Sequence, residues 1–230
     1  MKNKLFLLVL ALFLTACNPE PEKPPETPQA VTENPATDPY RLDPNVQPTF
    51  QHISFRMDPS QADYTGSTTI ELDIANPSKE IRLHAFEIDV DALSLTQGEQ
   101  EMPVTFRSGE HGILFIESSE DLPAGSYTLN IGFTNNFNTN GEAINRTEHE
   151  GDSYVFSQFE AIHARESFPC FDEPGYKYPW QLTIAVPGDV TVVTNTPIVA
   201  ISEADGWVTT EFDRTPALPS YLIAVAIGPF

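Results

Sequence analysis

Along most of this chain, apolar and polar positions alternate with a period of two. Ile70, Leu72 and Ile74 alternate with Glu71 and Asp73, which predicts a strand over 64–74, half buried and half solvated. Phe50, His52, Ser54 and Arg56 alternate with Gln51, Ile53, Phe55 and Met57 in the same way. Ile81, Leu83 and Ala85 alternate with Arg82 and His84. The apolar set then changes phase to Phe86, Ile88 and Val90, which reads as a bulge within one strand. Further short strands are predicted over 104–106, 113–116, 127–133, 154–159, 180–186, 190–195, 207–212 and 221–227, separated by Gly, Pro, Asn and Ser turn signals. The Asn-rich segment 134–150 lacks periodicity and reads as a surface loop. No window sustains the helical period of 3.6. Many short strands at regular spacing predict an all-β sandwich.

The first 39 residues break this pattern. Lys2 and Lys4 precede an apolar run from Leu5 to Leu14, followed by Thr15, Ala16 and Cys17. A charged start, a short apolar core and small residues at the cut make an export signal over 1–16. The run is too short to span a bilayer comfortably. Leu14-Thr15-Ala16-Cys17 resembles a bacterial lipobox, in which Cys17 is acylated and becomes the first residue. An ordinary signal peptide with an incidental cysteine is the other reading. Residues 17–39 are rich in Pro, Glu, Thr and Ala, which predicts an extended, disordered tether ahead of a domain spanning 40–230. Asn18 after the cysteine points to the outer membrane of a bacterial envelope, facing the periplasm or the surface.

Charge and cysteine count narrow the partners. Thirty-three acidic residues against twelve basic ones give a net charge of −21, which argues against nucleic acid because phosphate contacts need clustered Lys and Arg. With Cys17 acylated, Cys170 has no intrachain partner. It reads as a small buried hydrophobe, with a reactive thiol as the alternative.

The densest chemistry lies in Y-V-F-S-Q-F-E-A-I-H-A-R-E-S-F-P-C-F-D-E-P-G-Y-K-Y-P, Tyr154 to Pro179. Tyr154, Phe156, Gln158 and Glu160 share one strand face, an aromatic pair running into an amide and a carboxylate. The order Q-x-E followed by A-R-x-x-F-P-C-x-D-E-P resembles the hallmark of the N-terminal domain of the aminopeptidase N family of zinc metallopeptidases. Leu42-Asp43-Pro44-Asn45-Val46, Ile81-Arg82-Leu83-His84-Ala85 and Ser220-Tyr221-Leu222-Ile223-Ala224-Val225 are similar to further parts of that domain. The resemblance runs over about residues 40 to 230. It implies a saddle-shaped, mostly antiparallel β-sandwich.

The resemblance also divides the chemistry. Family members carry zinc on a helix with H-E-x-x-H, where a spacing of four puts both His on one face. Here His52, His84, His111, His149 and His163 include no pair four apart, and Gly151, Asp152 and Ser153 follow His149-Glu150. The chain itself is therefore expected to bind no metal and to be inactive alone, with zinc held by a catalytic domain that it lacks. The resemblance assigns Gln158 and Glu160 to the substrate's N-terminus, and Glu rather than Gln at 160 resembles the peptide-cleaving members. Arg165, Asp172 and Glu173 read as an ion pair or turn cap that holds the loop, and His163 as a satisfied loop histidine. The expected partners are peptide N-termini, the catalytic domain and, through the anchor, a membrane. A reading of another class is a non-catalytic β-sandwich lipoprotein that binds peptides or a protein.

Overall fold

A computed structural model describes residues 40–230; the export signal, the tether and Cys17 lie outside the described residues. Among the described residues, fifteen strands form three sheets. The largest is built on β1 (Val46–Met57) and β2 (Asp63–Ile74), an antiparallel pair that buries Ile53, Phe55, Met57, Ile70 and Leu72 on one face. The sheet continues through β8 (Gly125–Asn136), β4 (Asp89–Gln97) and β5 (Gln100–Met102) on one side. On the other it continues through β11 (Trp180–Pro187), β14 (Trp207–Phe212) and β13 (Ile198–Ala204). β1 and β11 run parallel, and the other strand pairs run antiparallel.

A three-stranded sheet holds β3 (Ser78–His84), β7 (Ile113–Leu122) and β6 (Thr105–Ser108). A four-stranded sheet holds β12 (Thr191–Thr194), β15 (Val225–Gly228), β10 (Asp152–Gln158) and β9 (Ala143–His149). Apolar residues of all three sheets join in one buried cluster. The fold is an all-β, sandwich-like domain, as the alternation predicts.

Four segments differ from the sequence expectation. The phase change at Ala85–Phe86 is not a bulge. β3 ends at His84, Glu87 takes a left-handed φ of 55°, and β4 begins at Asp89 in a different sheet. The two apolar sets face different neighbours, so the phase had to change. Segment 134–150 is not all loop: β8 runs to Asn136 and β9 starts at Ala143. β9 escapes the pattern because it is an edge strand whose last five residues are half-buried or exposed. β13, another edge strand, is exposed along its whole length and so carries no alternation. The segment 221–227 divides into a 3-10 turn at Ser220–Leu222 and the short strand β15.

Phe168 fills the space between the sheets. Its ring meets Phe55, Phe159 and Trp180 edge-on at 5.9, 5.6 and 6.0 Å between centroids, the favoured aromatic arrangement. The loop between β10 and β11 is therefore part of the core rather than a surface crossing.

Candidate functional site

β10 separates its two faces sharply. Val155 is wholly buried, and Phe159, just past the strand end, is 1% exposed. Tyr154, Phe156 and Gln158 occupy the opposite face, and Glu160 follows them into the open. The tyrosine and phenylalanine rings lie nearly parallel, 7° apart with centroids 6.3 Å apart. Gly228 on the neighbouring strand makes this possible: a Cβ there would sit 2.4 Å from a carbon of the Tyr154 ring. Phe230 packs on both rings at 5.8 and 6.1 Å.

Strand register widens the apolar strip. Phe156 pairs with Ala226 and Ala226 with Val193, so three residues on three strands share the exposed face. Phe156, Val193 and Phe230 are 41%, 52% and 63% exposed. Period two signalled Tyr154 and Phe156 in the sequence. Val193 and Phe230 join them only through strand register and the path of the residues after β15 (Val225–Gly228).

At the end of this strip stand the two residues expected to meet a substrate. Gln158 Oε1 accepts a hydrogen bond from the Glu160 backbone N–H at 3.2 Å, and the peptide bond from Glu160 to Ala161 is cis. The Glu160 carboxylate is exposed and has no hydrogen bond or ion pair among the described residues. An unpaired carboxylate beside an apolar strip can accept from an ammonium group. Exposed to water, that contact is weak; covered by a neighbouring domain, it strengthens as water leaves.

The residues after Glu160 are tied down. His163 Nδ1 lies 2.7 Å from Glu166 Oε1, and its Nε2 lies 3.7 Å from Glu142, so this histidine bridges two loops. Arg165 donates from Nε to Asp172 Oδ2 at 2.9 Å, from its backbone N–H to the same oxygen at 3.2 Å, and from Nη2 to the Asp172 carbonyl. Ser220 Oγ donates to Asp172 Oδ1. Asp172 is fully buried, and these donors replace the water it loses. Glu173 faces the other way and accepts from the Leu42 backbone N–H at 2.7 Å, with Arg41 at 3.3 Å. It anchors the start of the described domain.

Two polar residues lie buried under this loop. Gln51 is buried. It donates to Thr68 Oγ1 and to the Pro169 carbonyl at 2.8 and 2.9 Å and accepts from the Tyr178 hydroxyl at 3.0 Å. His84 was expected on the solvent side of its strand and is instead fully buried, because its backbone pairs with Cys170. Its Nδ1 accepts from the Asp172 backbone N–H at 3.2 Å. Burial, reinforced by the Arg165 charge, lowers its pKa from 6.5 to about 3. Burial likewise pushes the Cys170 thiol well up, and the nearby Asp172 adds to this, so the residue behaves as a small hydrophobe.

A zinc ion does not fit these residues. Among the described residues no group of three or more His, Cys, Asp or Glu could hold a metal. The described helical segments are 3-10 turns of three residues, so no helix carries two histidines on one face.

Comparison with known proteins agrees with this architecture. Aminopeptidase M1-D of Oryza sativa subsp. japonica is 30% identical over 195 residues, covering 83% of this chain and 22% of the rice protein. Endoplasmic reticulum aminopeptidase 1 of Rattus norvegicus is 27% identical over 240 residues, covering 97% of this chain and 26% of its own length. A leucyl aminopeptidase of Saccharolobus solfataricus is 46% identical over 80 residues, covering 34% of this chain and 10% of its own length. The chain thus spans about a quarter or less of the length of these relatives. The sequence profile of the Peptidase M1 N-terminal domain matches residues 41–222, and the chain belongs to that family.

Proposed function

We propose that this chain is the part of a zinc aminopeptidase that recognises the substrate's N-terminus, with the zinc site in a catalytic domain of the kind that its longer relatives have room for. The observation that carries this reading is the free, exposed Glu160 carboxylate at the end of the Tyr154–Phe156 strip. A peptide's α-amino group has a pKa near ~8, so much of it is ammonium at neutral pH. A carboxylate that meets it in a site closed to water contributes roughly 1.5–3 kcal/mol, which selects free N-termini over blocked ones. Gln158 can accept from the same amine or donate to a substrate carbonyl. The exposed Phe156, Val193 and Phe230 supply an apolar face against which a catalytic domain can pack. In the complete enzyme, Glu160→Ala is expected to raise KM for aminoacyl substrates and to weaken discrimination against N-acetylated ones. Unchanged kinetics on both would remove Glu160 from the site.

The same reading places the enzyme at a bacterial envelope. Residues 1–16 serve as the export signal, Cys17 carries the lipid, and residues 17–39 hold the domain off the outer membrane. Two or more acyl chains on one residue anchor stably where one binds only marginally. Labelled fatty acid is expected to enter the wild-type protein and not the Cys17→Ser variant; equal labelling of both contradicts the anchor.

A further inference from the structure

We propose that β13, the outermost strand of the eight-stranded sheet, joins two copies of this chain, running antiparallel to its counterpart about a twofold axis at Ile201. All seven residues of β13 are exposed, and Ile198, Val199 and Ile201 are 50%, 53% and 59% exposed. Protein edges of this kind are normally guarded by Lys, Pro or several charges. Here the one charged side chain is Glu203, in a protein of net charge −21.

The hairpin geometry fixes which main-chain groups are free. Ala204 and Trp207 close a two-residue loop of Asp205 and Gly206, whose φ angles of 52° and 79° suit a type I′ turn. The closing pair of such a hairpin exchanges both hydrogen bonds. Ala204, Ser202 and Ala200 therefore aim their N–H and C=O groups at β14, while Glu203 and Ile201 aim theirs outward. The register shift between Ile198 and Ala200 makes Val199 the extra residue of a bulge. With the Asp213 N–H donating to the Pro197 carbonyl beside it, the Val199 N–H turns toward β14, so the outward main-chain groups are those of Ile201 and Glu203.

Residues 199, 201 and 203 are symmetric about 201. An antiparallel second copy places Ile201 opposite Ile201, and Val199 opposite Glu203 at each end. The two Ile201 residues exchange both of their outward hydrogen bonds, apolar side chains meet at the centre, and the two Glu203 carboxylates stay at opposite ends. Like charges placed directly opposite would oppose pairing, and this register avoids them. The result is an isologous contact that closes at two copies.

The test is sedimentation velocity on the 230-residue chain from low to high micromolar concentration, with a crosslinking arm. A monomer–dimer equilibrium is expected. Ile201→Lys should raise its dissociation constant roughly tenfold or more by facing two ammonium groups across the axis, and Ile201→Val should leave it near wild type. In a Cys17→Ser background, Ile201→Cys should form a disulfide-linked dimer on mild oxidation. The Cα atoms of a hydrogen-bonded antiparallel pair lie about 5.5 Å apart, within disulfide reach. Ser119→Cys, exposed on another sheet, should not. A monomer at every concentration, or a dimer unaffected by Ile201→Lys, overturns the proposal. So does a dimer lost through Phe156→Ser but kept in Ile201→Lys, which would assign association to the small sheet.

Discussion

Residues 158–160 and 164–172 lie in one short stretch and live under opposite physical rules. In the first, Gln158 and Glu160 are exposed, and their side chains make one hydrogen bond, Gln158 Oε1 accepting from the Glu160 backbone N–H. In the second, Ala164, Ser167, Phe168, Cys170, Phe171 and Asp172 are buried, and Asp172 is held by Arg165 and Ser220 and bonded through its backbone to His84. The segment that makes the family recognisable is a support wedged into the core. The amide and carboxylate proposed to meet a substrate sit beside it, and the Glu160 carboxylate has no partner among the described residues. A motif dense in charged and cysteine residues is therefore a poor guide to which of its members touch a ligand. Burial and hydrogen-bond completeness separate them.

The largest expected effect lies in the support. Arg165→Met leaves the fully buried Asp172 without its cation, and loss of one partner of a buried ion pair costs about 3–5 kcal/mol. Urea unfolding should show this as a lower midpoint. A variant as stable as wild type would mean that Asp172 is not held as a buried anion.

Next comes a pH effect at His84. Its folded pKa of about 3 lies below the 6.5 of the unfolded chain, so acid protonates the unfolded state first. The contribution to stability is complete above pH 6.5 and is lost as pH falls toward 3, at up to about 1.4 kcal/mol per pH unit. His84→Asn keeps an acceptor for the Asp172 N–H and removes the titration. The loss of stability between pH 7 and 5 should therefore shrink by about 2 kcal/mol relative to wild type. An unchanged pH dependence would place the acid sensitivity elsewhere.

What could be read from sequence follows the same division. Strands with one buried face, such as β2 and β8, declare themselves by alternation. β9 and β13 do not, because an exposed edge strand has no second face to contrast with the first. The outward row of Tyr154, Phe156, Gln158 and Glu160 was legible because period two is local. The burial of His84 was not, since it depends on Cys170, 86 positions later, closing over its strand. Gln51 shares the row of Ile53, Phe55 and Met57 in the sequence, but its partners Thr68, Pro169 and Tyr178 come from three distant segments. Patterns within a few residues reveal faces. Partners contributed by other sheets do not show in them.

The smallest expected effect tests the other half of the comparison. Glu160→Ala removes a carboxylate with no partner among the described residues, and Gln158→Ala removes one exposed acceptor of a backbone N–H. Substitutions at such sites usually change stability by no more than about 0.5 kcal/mol. Both variants should therefore unfold within that margin of wild type, while Glu160→Ala still alters the kinetics of the complete enzyme. The pairing of these results matters more than either one. A stable variant with altered KM identifies a residue kept for the ligand. A destabilised variant with proportionate loss of activity would move Glu160 into the support with Asp172, and the boundary between the two regions would then fall before residue 158 instead of after residue 160.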